Sequence, residues 1–252
     1  MRAIKTYIII LSIAAVCLSG YKLFKMSERY IQEAQVKDRI AAYLPSDDSD
    51  DNSYSYIEAD ILNDMPEPQN NQFIIDLREE INKDIIGWLT IPETQINYPF
   101  VISNDNSHYL RRDLYGNYAL AGTIFTDHRC SKEFDNFNTV IYGHNMNNGS
   151  MFGELQLFDD EGFFDNNRFG TIYTEDNTYT LEFFACMIVK ADDKYIFDIS
   201  VNSKDFFDYV KKSALNYREP DINKNVVTLS TCTSSYQTVD TRTVLLANII
   251  KK

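Results

Sequence analysis

The chain has 252 residues, enough for one well-filled domain of roughly 150–200 residues with additional segments. Its 37 acidic and 24 basic residues give a net charge of -13, which argues against a nucleic-acid-binding protein that works by neutralising phosphates. The 17 Tyr and 16 Phe residues favour β structure with buried aromatic clusters.

The N-terminal segment, residues 1–26, is first basic and then apolar. Arg2 and Lys5 precede an apolar run from Tyr7 to Gly20, and two further lysines close it. This pattern indicates either an uncleaved membrane anchor or a cleaved signal peptide, and the absence of a small-x-small cleavage site favours the anchor. We therefore expect a single-pass anchor in the cell membrane, with the main domain extracellular.

Residues 27–72 divide into a helix and an acidic linker. Ser27 to Leu44 has apolar residues at helical spacing, which predicts a stalk helix. From Ser46 to Gln72 the chain is polar and acidic, which is typical of a flexible linker. Its aspartates permit a calcium site, but without a glycine-punctuated ligand loop a solvated charge run is the better interpretation.

The compact domain is expected to begin at residue 73 and to continue to residue 252. Phe73 to Ile85 reads as a helix with one apolar face. Two further helices are predicted at Ser150–Phe158 and at Lys204–Asn216, the second with Ser203 as its N-cap. Short apolar segments separated by turn residues predict eight strands of a barrel or sandwich: Gly87–Ile91, Ile96–Ile102, Gly122–Thr126, Thr139–Tyr142, Thr171–Thr174, Thr178–Val189, Val226–Thr231 and Thr243–Ile250.

Four cysteines are present, at positions 17, 130, 186 and 232. No two of them form a CxxC pair, which argues against a zinc ribbon or a thioredoxin-type motif. The last three lie in the main domain, and an odd number there leaves at least one unpaired thiol. Whether Cys130 and Cys186 pair is left open by the sequence.

Three residues at strand ends form the candidate catalytic set. Cys232 ends a strand-like run, and His144 follows another strand and a glycine. Arg242 lies at the start of a third apolar strand, where a charge needs a partner. Taken singly, the cysteine motif favours a functional role only weakly over a buried structural cysteine, and a lone histidine is usually a surface or hydrogen-bonded residue.

Together the three residues have a chemical logic. The thiolate is the reactive form of cysteine, and a nearby His144 can take the thiol proton and later protonate a leaving amine. Attack of Cys232 on an amide carbonyl creates an oxyanion, which Arg242 can stabilise. The set therefore predicts acyl transfer through a covalent intermediate.

The motifs that carry these residues resemble the sortase family. They are Tyr142-Gly143-His144-Asn145, Thr228-Leu229-Ser230-Thr231-Cys232 and Arg242. The family shares a TLxTC strand end, a histidine after an earlier strand and an arginine on the following strand. Class B is indicated by Ser230 in the central motif position, by the segments 82–89 and 94–99, and by the helix predicted before the cysteine strand.

The resemblance implies a mainly β fold, a closed eight-stranded barrel with N-terminal and peripheral helices. It implies His144, Cys232 and Arg242 as catalytic residues, and no metal or cofactor. Residues at positions that line the sorting-signal groove of class B would be Asn97, Tyr98, Tyr195, Ile196 and Ser230. For Tyr98, Tyr195 and Ile196, packing in the core is the alternative.

The expected function is that of a cell-surface cysteine transpeptidase. It would cleave the C-terminal sorting signal of a secreted protein after a Thr, hold the acyl chain as a thioester on Cys232 and join it to a peptidoglycan amine. Two alternatives stay open: a cysteine hydrolase with water as acceptor, and a non-catalytic surface protein on the same fold. Nucleic acid is not an expected partner.

Overall fold

The computed structural model describes residues 2–43, 71–201, 203–232 and 240–252, and for Cys232 and parts of the first helix it describes the backbone alone. The chain divides into two compact units, at the boundary between Ala42 and Tyr43. The predicted acidic linker, with its aspartate run, falls outside the described residues except at its C-terminal end.

The first unit is one helix, α1, which runs from Arg2 to Ala41 without a break between the predicted anchor and the predicted stalk. Among the residues that the structure describes, no helix is long and apolar enough to cross a membrane. The prediction of a single-pass anchor in the cell membrane is thereby overturned. The physical reason is the short apolar run, which includes Ser12 and Ser19 and falls below the about 20 apolar residues that a spanning helix needs.

The second unit is mainly β. Helix α2 covers Gln72–Glu80, α3 Glu161–Asn166, α4 Lys194–Phe197 and α5 Ser203–Ser213. The strands are β1 Ile85–Thr90, β2 Asn97–Ile102, β3 Ile124–Thr126, β4 Asn138–Tyr142, β5 Phe169–Tyr173, β6 Thr178–Lys190, β7 Asn216–Tyr217, β8 Val226–Cys232 and β9 Thr241–Lys251. Short 3₁₀ helices lie at His108–Arg111 and Gly153–Asp159.

Eight of these strands close into a barrel, as predicted. Their order is β5-β1-β2-β3-β4-β8-β9-β6, and the pairing of β5 with β6 closes the ring, while β7 adds to the outer edge of β6. The pairs β2–β3 and β4–β8 are parallel, and the other pairs around the ring are antiparallel. Closure leaves the ring without an unpaired edge, so that its register is fixed all the way round.

The two faces of the barrel wall carry different clusters. The inner face is apolar and includes Ile141 of β4, Leu229 of β8 and Leu245 of β9. On the outer face, residues of β6, β8 and β9 pack beneath α4 and α5, with Ile196 and Phe206 among the fully buried side chains. Because side chains alternate along a strand, β6, β8 and β9 each contribute residues to both clusters.

The helices differ from the predictions in their bounds. Helix α2 ends at Glu80, because Asn82 turns the chain and donates from Nδ2 to the Tyr109 hydroxyl and to the Leu114 carbonyl. The predicted helix at Ser150–Phe158 is a 3₁₀ helix that begins at Gly153, after a loop in which Gly149 and Met151 have positive φ. Helices α3 and α4 and the two-residue β7 were not predicted.

Candidate active site

The register of three neighbouring strands brings the candidate catalytic positions together. Strand β8 lies between β4 and β9, and Cys232 is paired with Arg242 across the β8–β9 ladder. On the other side Tyr142 is paired with Ser230 in the parallel β4–β8 ladder, so that His144 and Cys232 both lie two residues beyond that pair. Since adjacent strands are about 4.8 Å apart, the three backbones meet at one end of the barrel.

The exit of β4 is shaped by Gly143. Its amide donates to the Ser230 carbonyl at 3.1 Å, which keeps the chain alongside β8 for one residue beyond the strand. A Cβ at Gly143 would lie 2.6 Å from the ring of Phe152, which is fully buried. Phe152 in turn donates its amide to the His144 carbonyl at 3.0 Å. The glycine beside the histidine is therefore needed for the close packing of Phe152.

His144 is half-buried, and among the described residues its ring has one hydrogen-bond partner. Its Nε2 lies 2.7 Å from the carbonyl oxygen of Leu110, in the connection between β2 and β3. Burial lowers the pKa of His144 below its usual value, and the nearby Arg111 adds to this, whereas the hydrogen bond to Leu110 acts in the opposite direction. The net result favours a neutral imidazole, the form that can accept a proton.

The Arg242 side chain is held near the start of β9 by two contacts. It forms an ion pair with Asp240 and donates to the Thr241 carbonyl at 3.1 Å, and the Arg242 side chain is 25% exposed. The Asp240 side chain is 73% exposed, so this pair lies at the surface and is readily exchanged for another anion. Arg242 is therefore available to a negative charge that develops at the end of β8.

A buried carboxylate that the sequence analysis missed lies on the outer face beside β4. The side chain of Asp127 has no exposed surface and accepts from Arg129 Nε and Nη2, both at 2.8 Å. Asn106 Nδ2 and the Tyr142 hydroxyl donate to the same carboxylate at 3.0 and 3.1 Å. Burial alone would raise the pKa of Asp127, but the hydrogen bonds from Arg129 and Asn106 outweigh it and lower the pKa to about 2.

This network ties helix α4 to the sheet. Arg129 Nη2 donates to the Phe197 carbonyl at 2.9 Å, and the Phe197 ring stacks on Tyr142 with centroids 6.2 Å apart. The residue before Phe197 is held as well, because Asn138 Nδ2 donates to the Ile196 carbonyl at 2.8 Å. The wall beside the strand end is thus held by fixed polar contacts, and the Asp-x-Arg sequence directly after β3 is the signal that could have indicated it.

Of the predicted groove residues, Ser230 is buried near the end of β8 and Tyr195 is exposed on α4. Ser230 is two residues before Cys232 on β8, and its buried hydroxyl has no hydrogen-bond partner among the described residues. Tyr195 is 44% exposed on α4 and stacks on Tyr209 with ring centroids 4.6 Å apart.

Two of the other three predicted groove residues are buried in the core. Ile196 is fully buried beneath α4 and α5, and Tyr98 is buried in the inner cluster, with its hydroxyl accepting from the Met151 amide at 3.3 Å. These are the core positions that the sequence left as the alternative. Asn97 is exposed, and its Oδ1 accepts from Trp88 Nε1 at 2.6 Å.

Cys130 and Cys186 are both free and buried, so the question of their pairing is answered. Burial raises the pKa of Cys130 to about 11, and burial followed by the nearby Asp159 raises the pKa of Cys186 further. Both are therefore held as thiols at neutral pH, and neither has the electropositive, accessible surroundings of a reactive cysteine.

Comparison with known proteins agrees with this arrangement. The family model for the sortase domain matches residues 89–250. Sortase B of Listeria monocytogenes is 35% identical over 179 residues, 69% of this chain and 73% of that protein, and sortase B of Staphylococcus aureus is 32% identical over 181 residues with the same coverage. The solved Staphylococcus aureus sortase B–substrate complex superposes with a TM-score of 0.66 at 28% identity, covering 73% of this chain and 87% of that one.

A closed eight-stranded barrel with a cysteine at the end of one wall strand defines a class of cysteine transpeptidases that attach proteins to the cell wall. The chain belongs to the sortase family, and its relatives assign it to class B.

Proposed function

We propose that the protein cleaves a C-terminal sorting signal after a Thr, retains the acyl part as a thioester on Cys232 and transfers it to an amine of peptidoglycan. In this proposal Cys232 is the nucleophile, His144 transfers protons and Arg242 stabilises the oxyanion. The observation that carries it is the register of three strands, in which Cys232 pairs with Arg242 while Ser230, two residues earlier, pairs with Tyr142.

The first half of the reaction makes the thioester. The thiol of Cys232 gives its proton to His144, and the thiolate attacks the Thr carbonyl carbon to form a C–S bond and an oxyanion. Arg242 stabilises that oxyanion, because a cation placed where charge develops lowers the barrier. The intermediate then expels the amine of the signal's C-terminal part, which takes its proton from His144.

The second half reverses the roles. The peptidoglycan amine gives a proton to His144 and attacks the thioester carbonyl, and Arg242 stabilises the second oxyanion. The new C–N bond forms as the C–S bond breaks, and Cys232 leaves as thiolate and is reprotonated. No oxidant, metal or cofactor is needed for this balance.

Transfer to an amine and simple hydrolysis are distinguished by the acceptor. We expect that a panel of Thr-containing signal peptides, incubated with candidate amines, yields ligated product that is detected by mass spectrometry. The Cys232→Ala variant should abolish cleavage, whereas Cys130→Ala should retain it, because Cys130 is buried with a raised pKa. Cleavage that survives in Cys232→Ala contradicts the proposed chemistry, and release of acid alone with every amine favours the hydrolase.

Ser230 is proposed as a contact for the sorting signal. Its hydroxyl is buried without a partner among the described residues, and so is that of Thr231, on the opposite face of β8. Ser230→Ala should therefore raise KM for the peptide, while the matched variant Thr231→Val leaves KM unchanged. Equal KM values for the two variants would remove Ser230 from the groove.

A further inference from the structure

The connection between β2 and β3, residues 103–123, supplies the hydrogen-bond acceptor that faces His144. The His144 Nε2 atom lies 2.7 Å from the Leu110 carbonyl oxygen. Because a carbonyl oxygen can only accept, this nitrogen carries the hydrogen, and a neutral ring then leaves Nδ1 without one. The contact therefore selects one of the two neutral tautomers of His144.

The Leu110 carbonyl is held in place by an anchored segment. The side chain of the preceding Tyr109 is buried, and its hydroxyl donates to Asp84 at 2.8 Å and accepts from Asn82 at 2.9 Å. The Tyr109 carbonyl accepts from the Thr123 amide at 3.0 Å. These bonds attach the segment to the start of β1 and to the start of the barrel wall at β3, so the acceptor has a defined position.

Gly122 is the residue that leaves room for this acceptor. Its φ is +59°, in the left-handed region, and a Cβ there would lie 2.6 Å from the carbonyl oxygens of both Leu110 and Tyr109. Contacts that short do not occur between a real Cβ and its neighbours, so any side chain at 122 has to displace the two carbonyls. The position of the His144 partner thus depends on a glycine 22 residues earlier in the chain.

We propose that Gly122 and the Leu110 carbonyl form a positioning device for His144. The carbonyl holds Nε2–H, and Nδ1 is thereby the nitrogen that takes the proton of the Cys232 thiol. This inference rests on the proposed function, because it assumes that His144 transfers the proton. The opposite tautomer would present an N–H to the thiol and could not accept its proton.

The connection also contains a matched control. Gly116 has a φ of +80°, and a Cβ there would meet nothing within 4 Å. Alanine is therefore strained at both positions, but only Gly122→Ala displaces the Leu110 carbonyl. We expect Gly122→Ala to slow acylation by about 100-fold with little change in KM, since misplacement of a catalytic group by about 1 Å has that cost. Gly116→Ala should remain within about two-fold of the parent.

Nuclear magnetic resonance tests the tautomer in the unmodified protein. With ¹⁵N-labelled histidine, and with His144 assigned through His144→Gln, the neutral ring should carry its hydrogen on Nε2. A hydrogen on Nδ1 overturns the proposal, even if Gly122→Ala does not fold.

A pH titration followed through the same ¹⁵N signals gives the sign of each neighbour's effect on the pKa of His144. Among the described residues, the charged group that acts on the ring is Arg111 of the connection, while Cys232 and Arg242 are paired through their backbones at the ends of β8 and β9. Gly122→Ala should lower the pKa of His144, because it removes the hydrogen bond to Leu110. Arg111→Gln should raise that pKa, because it removes a cation. A pKa unchanged by Gly122→Ala counts against the carbonyl as a partner.

Failure of this inference is distinguishable from failure of the proposed function by His144→Ala. If His144→Ala keeps its transpeptidation rate, the proposed function fails and the positioning device fails with it. If His144→Ala is inactive while Gly122→Ala and Gly116→Ala have equal rates and equal pH profiles, only the positioning device is overturned. The expected result is an inactive His144→Ala, a slow Gly122→Ala and an unaffected Gly116→Ala.

Discussion

The two faces of strand β8 show how one segment can build a core and a site. On the inner face Val227 and Leu229 are fully buried among apolar side chains of β4 and β9. On the outer face the strand carries Thr228, whose hydroxyl donates to Asn138 at 2.8 Å, and then Ser230, and Cys232 follows two positions later along the backbone. The inner face fixes the register, because a slip by one residue would exchange the two sets of side chains.

The polar groups Thr228 and Asp127 on the outer face have hydrogen-bond partners, whereas the buried Ser230 hydroxyl has none among the described residues. Burying a carboxylate is costly unless it is paired, and Asp127 is paired with Arg129, Asn106 and Tyr142. The comparison indicates a division of labour in which apolar packing holds the strands and polar contacts hold the wall beside the strand end. Substitutions in the inner face should therefore lower stability more than turnover, whereas substitutions at the site should lower turnover more than stability.

The largest effect on stability is expected on the inner face. Leu229→Ala should lower the free energy of unfolding by about 2–5 kcal/mol, because it removes buried methyl groups and leaves a cavity in a closed barrel. Urea denaturation measures this loss. The turnover of the molecules that remain folded should stay within a few-fold of the parent; a large loss of turnover at unchanged stability would show that the two faces are not separable.

Arg242→Ala should instead lower turnover strongly and leave stability nearly unchanged. Loss of one stabilising group for the oxyanion should cost roughly 2.7–4 kcal/mol of activation free energy, which is about 10²–10³ in kcat. The free energy of unfolding should change little, since the side chain is 25% exposed and its ion pair lies at the surface. Steady-state kinetics and peptide-binding titrations separate the effects. Weaker peptide binding with unchanged turnover would contradict the role of Arg242 in the transition state.

Asp127→Asn should have an intermediate and pH-dependent effect on stability. The folded pKa of about 2 lies below the ordinary value of 3.8, so the carboxylate stabilises the fold above pH 3.8 and this contribution is lost as the pH falls towards 2. The difference corresponds to roughly 2 kcal/mol at neutral pH. Unfolding measured at pH 7 should show this loss, and the gap between parent and variant should narrow near pH 2. A constant gap would mean that the carboxylate charge is not the cause.

The smallest effect is expected for Asp240→Asn. Asp240 is the exposed partner of Arg242, and exposed ion pairs contribute little. We expect kcat to change by less than about five-fold, in contrast to Arg242→Ala. A loss as large as that of Arg242→Ala would show that Asp240 holds the guanidinium in its working position.

Most of the barrel could be predicted from the sequence, because its strands are apolar segments bounded by turn residues. All eight predicted segments correspond to strands of the ring, with ends that differ by a few residues. The predictions failed where local pattern and tertiary contact disagree. The apolar spacing continues through Ile81 and Ile85, yet the helix stops because Asn82 is used to hold the segment after β2.

The candidate site was only partly predictable. His144, Cys232 and Arg242 are marked by their position at strand ends and by motifs that resemble one family. The supporting contacts join residues far apart in the sequence, such as Arg129 with Phe197 and His144 with Leu110. No local pattern encodes these pairs, because they exist only after the barrel has closed.

The central claim is that Cys232 carries the acyl group of the sorting signal. The most direct measurement is to mix the protein with a Thr-containing signal peptide, quench the reaction in acid and map the adduct by mass spectrometry. The account predicts the N-terminal part of the peptide on Cys232, through a bond that hydroxylamine breaks. Cleavage of the peptide with no adduct on Cys232, or an adduct on Cys130 or Cys186 in its place, would contradict it.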